Sequence, residues 1–294
     1  MDRVEEFVEH RDYLVGIAYR MLGSFDEAED VVQDAMMRAE RAETRDIEEP
    51  RAWLTRIVTN LALDRLKSAR VRRESYVGPW LPEPSIGSPW NEREAMDPAD
   101  RVTLDEQISL ALLTVLETLS PAERAVYVLH EAFAVPLSEV AVIVGRSPDA
   151  VRQLAVRARR HVEDRAPRFD PDPSEQARVV AAFADATENG DLEALAQLLD
   201  DEVVFRSDGG GVVRAAPQPV EGRARVLQTI RASLRNTPNL ELEQRVVNGE
   251  AGLIGRFDGG AAVFAFVVRD GRIAQIDVVA NPQKLRRLPD GSQP

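Results

Sequence analysis

Two stretches of this 294-residue chain collect positive charge. Between Arg51 and Arg73 stand Arg51, Arg56, Arg65, Lys67, Arg70, Arg72 and Arg73, against Asp64 alone. Between Arg146 and Arg168 stand Arg146, Arg152, Arg157, Arg159, Arg160, Arg165 and Arg168, against Asp149, Glu163 and Asp164. Guanidinium groups bind phosphate oxygens and read guanine edges by paired hydrogen bonds. The same composition also occurs on plain solvated helix faces. The net charge is −13, which repels nucleic acid unless the positive residues are segregated, as they are here. Other chemistry is scarce. The absence of cysteine excludes disulfides, thiol catalysis and zinc–thiolate sites. The three histidines, His10, His130 and His161, are far apart, so no metal and no cofactor is expected. From residue 167 onward there is no His, Tyr, Cys or Trp. Asp208, Asp258, Asp277 and Glu221 are then the remaining proton-transfer candidates. An aspartate can act as a base in an apolar site, but such a site also needs an oxyanion donor, so catalysis is not expected.

The elements that would carry these residues are legible from periodicity. Phe7, Tyr13, Leu14, Ile17, Ala18 and Met21 recur at helical spacing, and Gly23-Ser24 ends the run. A second helix, about Asp26 to Arg41, sets Ala28, Val31, Val32, Ala35, Met36 and Ala39 on one side and Glu27, Asp30 and Asp34 on the other. A polar loop over 42–50 precedes a third helix that begins at Pro50. That helix turns Trp53, Leu54, Ile57, Val58, Leu61, Ala62 and Leu66 inward; a core role for Trp53 is the expected one, with base stacking as the alternative. Five prolines between residues 74 and 100 exclude regular structure, and Trp80 and Trp90 in this linker suggest docking, either within this protein or on a partner. Ser120-Pro121-Ala122-Glu123 is a capping-box helix start. Leu137–Val144, Gly145 and the Ser147-Pro148-Asp149 start of an arginine-rich helix form a helix-turn-helix pattern. Val140, Ile143, Val144, Val151, Leu154 and Ala155 are its apolar contact.

After a short linker, the tail reads as α+β. Helices over 175–188, 192–199 and 223–234 accompany strands over 203–206, 212–215, 240–247, 252–257, 261–268 and 273–279. Asp258-Gly259-Gly260 and Asp270-Gly271 are hairpin turns, and the sheet is expected to be antiparallel and curved around helices. Strand 261–268 could line a small-molecule pocket or belong to a plain core. No apolar run approaches the roughly 20 residues of a membrane span. The acidic start MDRVEEFVEH has no signal-peptide core. A cytoplasmic protein is expected.

Several of these segments resemble a known family. Asp26–Ala35 and Arg51–Leu66 resemble region 2 of extracytoplasmic-function (ECF) sigma factors, and Leu119-Ser120-Pro121-Ala122-Glu123-Arg124 with the helix-turn-helix resembles their region 4. Trp80-Leu81-Pro82-Glu83-Pro84, Asp208-Gly209-Gly210-Gly211 and Asn281-Pro282-Gln283-Lys284-Leu285 resemble signature pieces of the SigJ-like subgroup, which carries a SnoaL-like tail that regulates the factor. The resemblance implies a multidomain protein: two all-α sigma domains, a region 2 three-helix bundle and a region 4 helix-turn-helix, plus a C-terminal α+β SnoaL-like cone. The boundaries expected are 1–73, a linker over 74–102, 103–166, a linker over 167–174, and 175–288.

The resemblance also assigns roles. Glu27, Asp30, Gln33 and Asp34 are to contact polymerase core (β′ and β subunits), where an acidic face suits a basic protein surface. Arg56, Asn60, Arg65, Lys67, Arg70 and Arg72 are to handle the −10 element, with the 42–50 loop meeting an extruded base. Arg146, Ser147, Asp149, Arg152, Gln153, Arg157 and Arg160 are to read or flank the −35 element. The pairing of an aromatic, proline-rich linker with glycine and Asn-Pro motifs, residues 80–84, 208–211 and 281–285, further suggests that the tail docks on the linker and on the DNA-reading domains and that its pose sets activity. Partners are polymerase core, double-stranded and melted promoter DNA and a possible ligand of the tail, with no membrane and a monomer when free. Two other classes compete: a DNA-binding regulator with a ligand-sensing tail, and a SnoaL-like enzyme fused to a helical adaptor. The acidic second helix favours the first reading over the regulator, and the missing Tyr and His disfavour the enzyme.

Overall fold

The computed structural model describes residues 3–41, 49–74, 76–87, 108–165 and 172–289, without the side chains of 3–6 and 69–74. Trp90 and most of the 42–50 loop lie outside the described residues. The described chain forms two compact units: one of residues 3–41, 49–74 and 112–165, the other of 76–87, 108–111 and 172–289.

The first unit is helical. α1 (Arg3–Leu22), α2 (Phe25–Arg41) and α3 (Pro50–Glu74) pack pairwise. Gly23 supplies the left-handed residue that ends α1, and its N–H bonds to the Tyr19 carbonyl at 2.7 Å. Leu14, Ile17, Met21, Ala28, Val31, Leu54, Val58, Leu61, Ala62 and Leu66 are buried, as the helical spacing requires. Trp53 and Ile57 are only half-buried. The core role expected for Trp53 is therefore corrected. Position 53 stands one turn before Arg56 and two before Asn60, both exposed, so its ring belongs to the edge of the outer stripe.

α4 (Leu110–Leu116) leads to α5 (Pro121–Tyr127), which opens with the full capping box: the Glu123 N–H donates to Ser120 Oγ at 3.3 Å and the Ser120 N–H to Glu123 Oε2 at 3.2 Å. A π-turn over Val128–Ala132 follows, an irregularity without sequence signal. α6 (Leu137–Val144) stops at left-handed Gly145, and α7 (Pro148–Arg165) starts with the Ala150 N–H on Ser147 Oγ at 3.3 Å. Val140, Ile143, Val151 and Leu154 are buried between them.

The second unit is a mixed sheet with three helices. α8 (Pro173–Glu188), α9 (Leu192–Leu198) and α10 (Arg223–Asn236) cover one face. The strands are β1 (Leu199–Asp208), β2 (Val220–Glu221), β3 (Glu241–Val247), β4 (Glu250–Phe257), β5 (Gly260–Arg269) and β6 (Arg272–Val279), in the order β2-β1-β6-β5-β4-β3. Three sequence expectations are corrected. The sheet is not wholly antiparallel, because β1 runs parallel to β6; the α10 crossover returns the chain on the far side and lets the last strand close against the first. Residues 212–215 are not a strand: the Val212 and Val213 N–H groups fold back on the Gly209 carbonyl at 3.0 and 2.9 Å, and Val212 is exposed. The first linker begins after Glu74, inside the span expected to be extended.

The helix-covered face buries Val203, Phe205, Leu253, Phe266, Ile276 and Val278 with Val180, Phe183, Leu195, Val226 and Ile230. By strand alternation the opposite face carries Val247, Ile254, Val263, Asp277 and Val279. The linker and the segment after β6 cover it. Leu81 and Leu110 pack on Val279, and Ile86, Leu285 and Leu288 pack around Val247, Ile254 and Val263.

Candidate nucleic-acid interface

The −35 candidates lie in the turn before α7 and on its outer side. Arg146, Ser147, Asp149, Arg152, Gln153, Arg157 and Arg160 are all exposed. Asp149, Arg152, Gln153, Arg157 and Arg160 recur at intervals of one, three or four residues, as one helix stripe requires. Ser147 spends its hydroxyl on capping α7. Arg152 pairs with Asp149 one turn back. Arg157 Nε donates to Glu123 Oε1 at 3.1 Å. The capping-box carboxylate thus orients an arginine of α7. Burial opposes ionisation of Glu123, and bonds from Ser120 and Arg157 overcome it, holding its pKa below the usual glutamate value. Sequence reasoning missed Val156, which is 67% exposed in the middle of this stripe. An exposed valine amid charged positions was the available signal.

The −10 candidates divide. Arg56, Asn60 and Lys67 are exposed on α3, and Lys67 bonds to Asp64 at 2.9 Å. Arg65 turns toward α2, reaching Asp30 at 3.1 Å and Asp34 at 3.4 Å. It therefore clasps two carboxylates of the acidic face. The side chains of Arg70 and Arg72 lie outside the described residues. On α2, Asp30 and Gln33 are exposed and Glu27 and Asp34 half-buried.

Within the first unit α3 also packs against α5 and α6. Arg124, 2% exposed, donates from Nε and Nη2 to the Arg20 carbonyl at 3.1 and 3.0 Å and from Nη1 to Glu117. Burial lowers its pKa to about 9, so the group remains cationic at neutral pH. Arg20 lies over the Phe133 ring at 4.7 Å, and Tyr13 meets that ring edge-on at 5.2 Å.

In the second unit the linker and tail motifs converge on Asp208, which has no exposed surface. Its Oδ1 accepts the Tyr76 hydroxyl at 2.6 Å and the Gly210 N–H at 3.0 Å. Its Oδ2 accepts the Leu81 N–H at 2.9 Å and Lys284 Nζ at 2.7 Å. Lys284 also donates to the Leu81 carbonyl and sits 4.0 Å from the centre of the Trp80 ring. Asn281 Nδ2 donates to the Tyr76 oxygen at 2.9 Å. Burial first, and then the bond to Asp208, push the Tyr76 hydroxyl above its ordinary pKa, which keeps it a neutral donor. A side chain at Gly210 would stand 2.4 Å from the Asn281 amide, and Gly210 has φ of +64°; both facts require glycine. Pro82, Glu83 and Pro84 are buried, and Glu83 lies 3.8 Å from Arg287. Gly209 and Gly211 complete the turn against Val213 and Val77, while Pro282 and Leu285 bracket the short helix that presents Lys284. Farther along, the Asn248 N–H donates to the Ser85 carbonyl, the Ser85 N–H donates to the Asn248 side-chain Oδ1, and Ile86 bridges Val247 as an added β residue. Tyr76 was missed from sequence, although it is an aromatic at the mouth of the linker.

The other carboxylates considered for proton transfer are engaged or exposed. Asp277 takes a two-pronged contact from Arg206 at 2.7 and 3.0 Å and a bond from Gln275 at 2.7 Å. Asp258 accepts from Asn239 at 2.8 Å, and Glu221 faces solvent. Among the described residues no group of metal-ligating side chains is found, and no helix is long and apolar enough to cross a membrane.

Comparison with known proteins agrees with this arrangement. Residues 7–72 match the Sigma-70 region 2 family, 109–162 match Sigma-70 region 4, and 180–276 match the SnoaL-like domain. The ECF RNA polymerase sigma factor SigJ of Mycobacterium tuberculosis is 40% identical over 97% of this chain and 94% of its own. The probable ECF RNA polymerase sigma factor SigI of the same species is 38% identical over 95% of this chain and 93% of its own. The crystal structure of M. tuberculosis SigJ aligns with 96% of this chain and 98% of its own at a TM-score of 0.75 and 36% identity. The chain therefore belongs to the ECF RNA polymerase sigma factors, in the form that carries a C-terminal SnoaL-like domain.

Proposed function

We propose that α2, α3 and α7 carry the contacts of this sigma factor and that its tail governs them in cis through the linker. The acidic residues Glu27, Asp30, Gln33 and Asp34 suit a basic surface of polymerase core, on its β′ and β subunits. Arg56, Asn60 and Lys67, with Trp53 beside them, suit the melted −10 strand, where a half-exposed ring can stack on a base. Arg152, Gln153 and Arg157 suit base edges of the −35 element, and Arg146 and Arg160 suit its phosphates. Both readers share one compact unit, which for this length is about 40 Å across. The −10 and −35 elements lie about 25 base pairs apart, roughly 85 Å of duplex at 3.4 Å per base pair. The contacts of Arg124 and Phe133 with α1 are those that separate when both elements are engaged. A role on promoter DNA supports our reading of a cytoplasmic protein.

The observation that carries the cis-regulatory reading is the Asp208 node, which ties residues 76–81 of the linker to the tail. Removing one partner of a buried ion pair costs about 3–5 kcal/mol, so the clamp is stiff. We read the tail as non-catalytic. Its helix-covered face is packed with apolar side chains, and its buried carboxylates are committed to structural bonds. The linker covers the opposite sheet face, which favours a monomer. In the Asp208→Ala protein, amide exchange of residues 76–87 is expected to accelerate at least tenfold while the Ile276 core amide is unchanged. Transcription with polymerase core should change with it. Unchanged linker exchange and unchanged transcription would refute the cis-regulatory role.

A further inference from the structure

A third basic helix escaped the charge reading, because α10 lies in the acidic tail. Its sequence, RARVLQTIRASLRN, holds four arginines and no acidic residue. Val226 and Ile230 bury one face against the tail core. Successive residues advance by about 100°, so Ala224, Arg225, Gln228, Arg231, Ala232 and Arg235 fall together on the opposite arc, and all six are exposed. Arg223, nearer the core side, is taken by Asp201 at 2.8 Å and the Leu199 carbonyl at 3.0 Å. Arg225, Arg231 and Arg235 have no carboxylate partner among the described residues. This contrasts with α7, where Arg152, Arg157 and Arg159 are each held by an acid.

We infer that this face of α10 binds the phosphate backbone of DNA without reading its sequence. Three unpaired guanidinium groups along about 15 Å of helix match a run of phosphates on one strand, and the two alanines let the backbone approach closely. Glutamine adds a neutral donor. Arg225 and Gln228 are residue types that can read base edges, but Arg231 and Arg235 carry the face on to the C-terminal end of the helix, whereas groove-reading side chains cluster near a helix N-terminus. An acidic protein surface is the other class of partner for such a face. DNA is favoured because the chain is a promoter-binding factor and the fork geometry of arginine fits phosphate. The inference rests on that promoter-binding reading.

The test compares the full-length protein with R225A/R231A/R235A, each bound to polymerase core and titrated against a promoter fragment and a random-sequence duplex of several helical turns. Affinity is measured across a salt series. Each phosphate contact contributes about 0.9 to the slope of log K against log salt. The triple variant is expected to lower that slope by about 2–3 on both duplexes, leaving their ranking intact, while the triple lysine variant retains it. An unchanged slope overturns the inference. So does an unchanged slope with weakened core binding, which would assign α10 to an acidic protein surface. If the triple variant does not fold, as judged by its melting curve, the three single variants are measured instead, with a slope loss of about one each expected and no loss overturning it. Should the unaltered protein with core bind neither duplex, the promoter-binding reading itself fails.

Discussion

At the scale of single residues, the exposed stripe of α7 proposed to read the −35 element combines charge with one apolar side chain, Val156. Val156 is flanked by Arg152, Gln153 and Arg160, and an exposed methyl pair in a major groove is matched by the C5-methyl of thymine. In a −35 sequence selected by the polymerase-bound protein, replacing one thymine by uracil should weaken the wild type about three- to tenfold, a fraction of one good base contact, and leave Val156→Ala indifferent. Arg152→Ala should lose about 1–3 kcal/mol of discrimination at its own base pair. Equal tolerance of uracil by both proteins at every thymine would remove Val156 from the interface. Residue types were legible where a single property fixes the position. Gly145 as the left-handed stop of α6 and Ser147 as the cap of α7 are such cases. They were not legible where two partners compete. Arg65 reads as a phosphate ligand beside Lys67, yet two carboxylates of α2 lie within its reach and hold it.

At the scale of elements, most boundaries followed from caps and periodicity, and the failures have physical causes. The Ser120–Glu123 box fixes the start of α5, and its carboxylate also holds Arg157. Ser120→Ala should lower the melting free energy of the first unit by about 1 kcal/mol, checked by denaturant titration, and loosen Arg157. Because the folded pKa of Glu123 lies below its unfolded value, its contribution is complete above the ordinary glutamate range and disappears as pH falls through the folded pKa. The 212–215 segment has the β-branched pattern of a strand, but the glycines before it permit a turn that periodicity does not register. The π-turn over Val128–Ala132 has no sequence signature, and β2 is too short to leave one. Asn248-Gly249, with φ of +48° and +83°, is a hairpin turn signal that was available and unused.

At the scale of the whole molecule, the division into two helical readers and an α+β tail could be read from composition, because proline-rich linkers and opposite charge patterns separate the parts. That the linker docks on the tail was expected from its motifs; what could not be read is the set of bonds that makes it part of the tail's unit. Its docking depends on Asp208, Asn281 and Lys284, which are more than 120 residues away in sequence and meet Tyr76 and Leu81 only through the fold. The protein is thus a promoter reader whose connecting segment is held by its own C-terminal domain. Run-off transcription with purified polymerase core and the full-length protein, on templates selected by that complex, tests this most directly. The account predicts discrete transcripts that require the protein and are lost when α3 or α7 is stripped of its exposed arginines; failure to associate with core, or initiation that does not depend on either helix, would contradict it.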